Sequence, residues 1–345
     1  MDATFFNRIR ENLSEKRQNL MGWLQSTPSQ KQQLRLGVAS DCSVRAHLEV
    51  LDTALKETAE QSIGMCAICQ DYVDTDLLQM DYTTHLCLEH LSTDEMDYLQ
   101  SELDLAQEVH KSLMPQKAPE VPGLDFAAYS RPAQIIGGDL FDFFTFQDGA
   151  QGFAIADVAG HCVSAGLLMA GLQTALRTLV PLHRAPAEVI RRVNDLFCHN
   201  VSFTTFASIF LGAFNPATHV LSYSNAGHNP PLVIHTQGAD QQAVGWLSPT
   251  GAAIGLVEEA TFGEGTVTLL PGDILLLYTD GVTEATNQRS EEFGTQRLAS
   301  FFQQRSHQPA RDLVRALRDE LQDFAGGLPL ADDTTILVCR INGKV

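Results

Sequence analysis

Positive charge is what this chain has least of. It carries 23 Lys and Arg against 42 Asp and Glu, a formal net charge of −19, and only 19% of its residues are charged. A surface of that sign repels nucleic-acid phosphates and anionic lipid, so direct nucleic-acid or membrane binding is not expected. It favours bound cations and partners with basic patches. Long hydrophobic runs are also missing: Phe206 to Phe214 and Ile274 to Tyr278 are short core segments, well below the roughly 18 apolar residues of a membrane span. The opening MDATFFNRIRENL has no basic stretch followed by an apolar one, so a secretory signal is not expected and a cytoplasmic location is. The seven cysteines are an odd count, which favours a thiolate metal site over a disulfide framework in that compartment.

What remains is ample for folding. With 345 residues and 44% hydrophobic content, the chain excludes a disordered or collagen-like protein and has room for two domains. Residues 4 to 25 place Phe5, Ile9, Leu13, Leu20 and Leu24 at helical spacing, and Ser26-Thr27-Pro28-Ser29 breaks the pattern. A second helix is expected from about Ser43 to Gln61 through Leu48, Leu51 and Leu55, with Gly64 as its C′ residue. The two read as a helical hairpin.

Next come Cys66-Ala-Ile-Cys69, a spacer of seventeen residues, and Cys87-Leu-Glu-His90. Two short chelating pairs so separated can set four N/S ligands tetrahedrally around one zinc. This stretch, about residues 40 to 92, resembles the DksA/TraR-type zinc finger, with Gly64-Met65 before one knuckle, His85-Leu86 before the other, and His90 where that family usually has a fourth Cys. The resemblance implies a structural Zn²⁺ on Cys66, Cys69, Cys87 and His90 and a docking or regulatory role for residues 1–92, which would receive a signal or a regulatory protein.

Residues 93–115 form a linker. Thr93 is a candidate N-cap, Pro115 ends the helix, and Met96, Leu99, Leu103, Ala106, His110 and Leu113 follow a heptad a/d pattern. That pattern suits either an amphipathic helix lying on the next domain or a parallel coiled coil between two protomers, hence a homodimer.

From residue 116 the texture changes to short β-type runs punctuated by Gly, Pro and Asp. Strands are expected near 124–131, 137–146, 151–158, 205–214, 219–225, 231–236, 266–270, 273–279 and 334–341. Helices are expected near 163–181, 186–201, 291–305 and 309–325. That order is an α+β arrangement with largely antiparallel sheets, not the alternation of a doubly wound fold. Four acidic positions sit at strand edges beside small turn residues: Gly137-Gly138-Asp139, Ala156-Asp157-Val158, Thr279-Asp280-Gly281 and Ala331-Asp332-Asp333-Thr334. A carboxylate ending a buried strand is costly unless a cation meets it, and hard divalent ions suit oxygen ligands. A binuclear carboxylate centre can clamp a phosphoryl oxygen and lower the pKa of a bridging water, which points to metal-assisted phosphoester hydrolysis. Any one of these acids could instead be an ordinary turn residue bonding backbone amides.

In order, Gly-Gly-Asp139-Leu-Phe-Asp142, Ala-Asp157-Val-Ala-Gly-His161, Asn225-Ala-Gly-His228-Asn-Pro-Pro231, Leu270-Pro-Gly-Asp273, Tyr278-Thr-Asp280-Gly-Val-Thr-Glu284 and Asp332-Asp-Thr-Thr335 resemble the motifs of bacterial PP2C-like (PPM) serine/threonine phosphatases of the SpoIIE/RsbU type. The resemblance implies an αββα sandwich over 116–345 with two Mn²⁺ or Mg²⁺ ions between the sheets. Asp139, Asp157, Asp280 and Asp332 would then be ligands and catalytic residues, with the Val158 carbonyl as a further ligand and Asp333 able to exchange roles with Asp332. It also implies a phosphoserine or phosphothreonine substrate, most often a STAS anti-anti-sigma factor, within partner-switching signal transduction. Asn225 to Pro231 reads as a bracing turn, Arg131 is the nearest candidate for a phosphate contact, and Cys162 departs from the family's usual Gly. His183, His199, His219 and His235 show no partner pattern. The alternative is a non-enzymatic scaffold that docks phosphoproteins or a transcription complex without turnover.

Overall fold

The computed structural model describes residues 6–7, 9–10, 13–14, 17–18, 21, 40–73, 85–160, 162–200, 206–236, 243–328 and 332–343, the side chains of 40–47, 88, 162 and 200 excepted. The chain divides into two compact units, Met1–Glu102 and Leu103–Val345, the break falling inside the helix that joins them.

In the first unit the described residues among 6–21 are helical. They share a small core with α1 (Ser40–Ala59): Phe6, Leu13, Leu51, Ala54, Ile63, Cys66 and Val73 are buried together. The rest of the expected first helix lies outside the described residues. α1 does not run on to Gly64. It stops at Ala59, and Gln61 takes the left-handed conformation (φ 57°) while Ser62 N donates to Glu57 O at 2.8 Å. Gly64 (φ 70°) instead turns the chain into the first cysteine pair.

The joining helix, α2 (Thr93–Leu113), is capped one residue earlier than expected. Ser92 Oγ accepts from Glu95 N at 3.3 Å, and Glu95 Oε2 accepts from Ser92 N at 2.9 Å. That reciprocal pair is a capping box, so Ser92 rather than Thr93 is the N-cap.

The second unit contains β1 (Leu124–Arg131), β2 (Leu140–Thr145), β3 (Gln151–Val158), β4 (Ala207–Asn215), β5 (Val220–Ala226), β6 (Leu232–His235), β7 (Ala243–Trp246), β8 (Gly265–Thr268), β9 (Ile274–Tyr278) and β10 (Thr334–Ile341). They pair antiparallel into two five-stranded sheets, in the orders β1-β10-β9-β6-β7 and β2-β3-β4-β5-β8. The inner strands are apolar on both faces, so each sheet must be covered twice. Along β3, Phe153 and Ile155 enter the core between the sheets, whereas Ala154, Ala156 and Val158 face the helices α3 (Cys162–Leu179) and α4 (Pro186–Asn200). On the other sheet Leu275, Leu277, Leu337 and Cys339 face inward. Ile274, Leu276, Ile336 and Val338 pack on α5 (Gly294–Arg305) and α6 (Ala310–Ala325). The result is a helix–sheet–sheet–helix sandwich.

Two expectations need correction. The stretch Val163–Leu182 is long and apolar enough by composition to cross a membrane. Its Ala165, Met169, Leu172, Leu176 and Val180 are buried against the second sheet, so the apolarity is that of a core helix. β7 was not anticipated, because this edge strand is largely exposed and has no buried alternation to announce it.

Candidate active site

The period-2 rule continues the inward face of β3 from Phe153 and Ile155 to Asp157, which therefore points between the sheets at the strand's end. Asp139 stands one residue before β2, Asp280 opens a single helical turn (Asp280–Thr283) directly after β9, and Asp332 and Asp333 precede β10. Sandwich geometry thus brings these carboxylates to one end of the cleft from four separate chain segments.

Their mutual proximity is written in their acidities. Burial and the charge of Asp157 push Asp139 far above the usual carboxylate range, although hydrogen bonds from Thr335 and Thr279 pull the other way. Asp157 is raised to about 7, first by burial and then by Asp280, Asp332 and Asp333. Burial and the neighbouring Asp332 raise Asp280, whose own carboxylate accepts backbone N–H bonds from its helical turn. Like charges so placed cannot all ionise without a cation among them. The donors are all oxygen, the chemistry of Mg²⁺ or Mn²⁺ rather than zinc. The carboxylates fit such ions on both counts.

The two acids before β10 have different jobs. Asp333 accepts backbone amides at both oxygens, from Ala133 N at 2.8 Å and Gly138 N at 2.7 Å. Asp332 is exposed and, among the described residues, its carboxylate receives Asp333 N at Oδ1, 2.7 Å away. The two carboxylates differ in their bonding: Asp333 braces the glycine loop, whereas Asp332 accepts no such pair of amides among the described residues. A Cβ on Gly137 would sit 2.3 Å from Asp333 Oδ2, and one on Gly281 2.1 Å from Asp333 O. Glycine is needed at both places for close approach. The Val158 carbonyl lies against Gly138, where a Cβ would come within 2.6 Å of it.

Other motif residues support the cluster from behind. Thr279 Oγ1 donates to Asp139 Oδ2 at 2.8 Å and accepts from Thr335 N at 2.9 Å. Asp142 is buried on the helix side of β2, held by Arg177 Nε at 2.7 Å and Gln173 Nε2 at 3.1 Å. Asn225 Oδ1 accepts from His228 N at 2.8 Å, and His228 Nδ1 meets Ser208 Oγ at 2.7 Å, opposite Asp157 in the ladder. The turn is structural, and burial lowers the His228 pKa to about 4, so its ring is neutral. His235 does have a partner: Asp273 Oδ2, 2.8 Å away, in a carboxylate that also accepts Thr236 N and Leu270 N. Arg131 lines a cavity of about 750 Å³ with Tyr129, Arg318, Glu284, Gly281 and Asp332, next to the acid cluster. His161 and the Cys162 side chain lie outside the described residues.

In the first unit the four sequence-predicted N/S ligands meet. Donor atoms of Cys66, Cys69, Cys87 and His90 all lie within 4.8 Å of one another. Cys69 and Cys87 Sγ are 3.8 Å apart. That is about the edge of a tetrahedron with Zn–S bonds of about 2.3 Å. Each pair sits in a tight turn, closed by Gln70 N to Cys66 O (2.9 Å) and His90 N to Cys87 O (2.9 Å). Backbone N–H groups of Cys69 and Cys87 aimed at Cys66 lower its thiol pKa to about 5, while burial and the Cys66 and Cys69 sulfurs raise Cys87 to about 11. The cluster therefore favours a cation that would let its thiols ionise together.

Two antiparallel sheets between helix layers, with converging carboxylates at one end of the cleft, define the class of PP2C-type protein serine/threonine phosphatases, which are metal-dependent. The chain belongs to the SpoIIE (stage II sporulation protein E) family, whose model matches residues 147–342. It is 28% identical over 266 residues to the phosphoserine phosphatase RsbU of Bacillus subtilis strain 168, covering 76% of this chain and 75% of that protein. Among solved structures, the SiaA PP2C domain of Pseudomonas aeruginosa superposes with a TM-score of 0.63 at 21% identity, over 73% of this chain and all of that one. The RsbU and RsbW domains of Rv1364c from Mycobacterium tuberculosis give a TM-score of 0.54 at 28% identity, over 66% of this chain and 62% of that one. The family match begins after residue 146 and leaves the thiolate cluster outside it.

Proposed function

We propose that this chain dephosphorylates phosphoserine or phosphothreonine on a regulatory protein, most simply a STAS-type anti-anti-sigma factor, with Asp139, Asp157, Asp280, Asp332 and the Val158 carbonyl as the ligands of two Mn²⁺ or Mg²⁺ ions. The single observation carrying the assignment is the convergence of these acids at one end of the cleft between the sheets, where Asp157 raises the pKa of Asp139, Asp280 that of Asp157, and Asp332 those of Asp157 and Asp280. Bound there, divalent cations would polarise the phosphoryl group and make a water acidic enough for in-line attack near neutral pH. Thr279 Oγ1 donates to Asp139 Oδ2 and holds the carboxylate from behind. Asp333 and the two glycines shape the backbone around it, and Arg131, beside Asp332 in the adjoining cavity, is placed to meet the substrate's phosphorylated segment.

Cys66, Cys69, Cys87 and His90 would hold a structural Zn²⁺ that fixes the first unit as a regulatory module. The half-exposed Leu99, Leu103 and Ala106 on α2 suit pairing with a second copy of the helix, in a cytoplasmic homodimer. The test is phosphate release from a phosphoserine-bearing STAS protein by the full chain with Mn²⁺. Release that EDTA abolishes is the expected result. Turnover of p-nitrophenyl phosphate with no release from the phosphoprotein would overturn the substrate assignment.

A further inference from the structure

The last turn of α2 differs from the rest of that helix. His110 is its buried residue, at 8% exposure, while Leu105 and Val109 are 56% and 52% exposed. His110 does not continue the a/d seam toward another helix: its Nε2 lies 3.1 Å from the carbonyl oxygen of Gly137. A carbonyl only accepts, so Nε2 carries the proton and donates, which fixes the ring's tautomer. The helix end is pinned a second time by Gln173 Nε2, which donates to Leu113 O at 2.7 Å, and Leu113 and Met114 pack against the core around α3.

Gly137 is the first of three consecutive residues held by polar ties from different parts of the chain. The Gly137 carbonyl takes His110, the Gly138 amide donates to Asp333, and the Asp139 carboxylate takes Thr279. Neither glycine has a side chain to pack, and at Gly137 none would fit. A Gly-Gly pair is conformationally free unless its backbone groups are held. The tie from His110 is the one that comes from outside the sheets and their connecting loops.

We propose that His110 is a positioning residue for Asp139: by holding the Gly137 carbonyl it fixes the glycine pair in the conformation that presents Asp139 to the cluster, and so sets the affinity for divalent cations. This rests on Asp139 being a metal ligand, as proposed above.

The experiment compares full-length wild type, His110→Ala, His110→Gln and Asp139→Asn. Mn²⁺ binding is followed through the electron paramagnetic resonance signal of the free ion, and thermal unfolding is recorded separately in EDTA. Asp139→Asn identifies which part of the isotherm belongs to the carboxylates. His110→Ala is expected to weaken that part about tenfold, the scale of one lost buried hydrogen bond, with a modest fall in the EDTA unfolding midpoint that Gln restores. His110→Gln, which keeps an N–H at similar reach, is expected to return to within about threefold of wild type. Wild-type affinity in His110→Ala would overturn the proposal. So would a loss in EDTA stability that matches the loss of affinity and that Gln does not restore, since His110 would then only brace the fold. A wild-type isotherm indistinguishable from that of Asp139→Asn would remove Asp139 as a ligand, and this inference with it.

Discussion

Thr279→Val is the sharpest perturbation of the support behind the acid cluster. The two side chains have nearly the same shape, and Thr279 is fully buried, so packing is conserved while one hydroxyl is removed. That hydroxyl donates to Asp139 Oδ2 at 2.8 Å and accepts from Thr335 N at 2.9 Å. The first bond counts as about 1 kcal/mol. The orphaned Thr335 N–H adds about 2 kcal/mol of uncompensated desolvation. The expected cost is therefore about 3 kcal/mol. It is measured by urea unfolding in EDTA at pH 7.5 through Trp246 fluorescence, in a background where Trp23 is Phe so that only the second unit reports. Thr279→Ser keeps the hydroxyl and should lose only about 1 kcal/mol for the missing methyl. A Val variant within about 1 kcal/mol of wild type, or a Ser variant as damaged as Val, would refute the role given to this hydroxyl.

Three further outcomes follow from the electrostatics of the two clusters. Asp280→Asn should lower Mn²⁺-dependent turnover by more than about a hundredfold while raising the EDTA melting temperature, because it removes one of several mutually repelling charges; a lower melting temperature would contradict the repulsion. Asp157, with its folded pKa raised to about 7, binds a proton in the folded state that the unfolded chain, with a carboxylate pKa of about 4, has already lost. Metal-free stability should accordingly fall as pH rises from about 4 to about 7, and the stabilisation by added Mn²⁺ should be larger at pH 7.5 than at pH 5.5; equal stabilisation at both would contradict it. Cys69→Ser should reduce zinc from one atom per chain, counted by elemental analysis, and leave p-nitrophenyl phosphate turnover by the second unit's site measurable; undiminished zinc would remove Cys69 from the ligand set.

The sandwich was readable because both sheets obey simple periodicities. The strands β1, β3 and β10 announce themselves by apolar runs bounded by Gly, Asp and Pro, and α6 by Leu313, Val314, Leu317 and Leu321 at helical spacing. The acid set was readable as four turn-edge positions, and the thiolate set by its pair spacing. Less legible were features that depend on contacts between distant segments. Nothing local distinguishes Asp332 from Asp333, since the difference is made by the amides of Ala133 and Gly138 about 200 residues away. The partnership of His235 with Asp273 spans 38 residues, and a heptad count assigns His110 to a seam when its partner is a carbonyl in a glycine loop. β7 escaped because an exposed edge strand has no inside to alternate with.

The most direct test of the acid cluster as the catalytic centre is p-nitrophenyl phosphate turnover by the full chain, wild type beside Asp280→Ala, in Mn²⁺, in Mg²⁺ and in EDTA. The expected result is turnover by wild type with a divalent ion, none in EDTA, and none by Asp280→Ala under any condition although it remains folded. Wild-type rates from folded Asp280→Ala, or turnover that persists in EDTA, would contradict it.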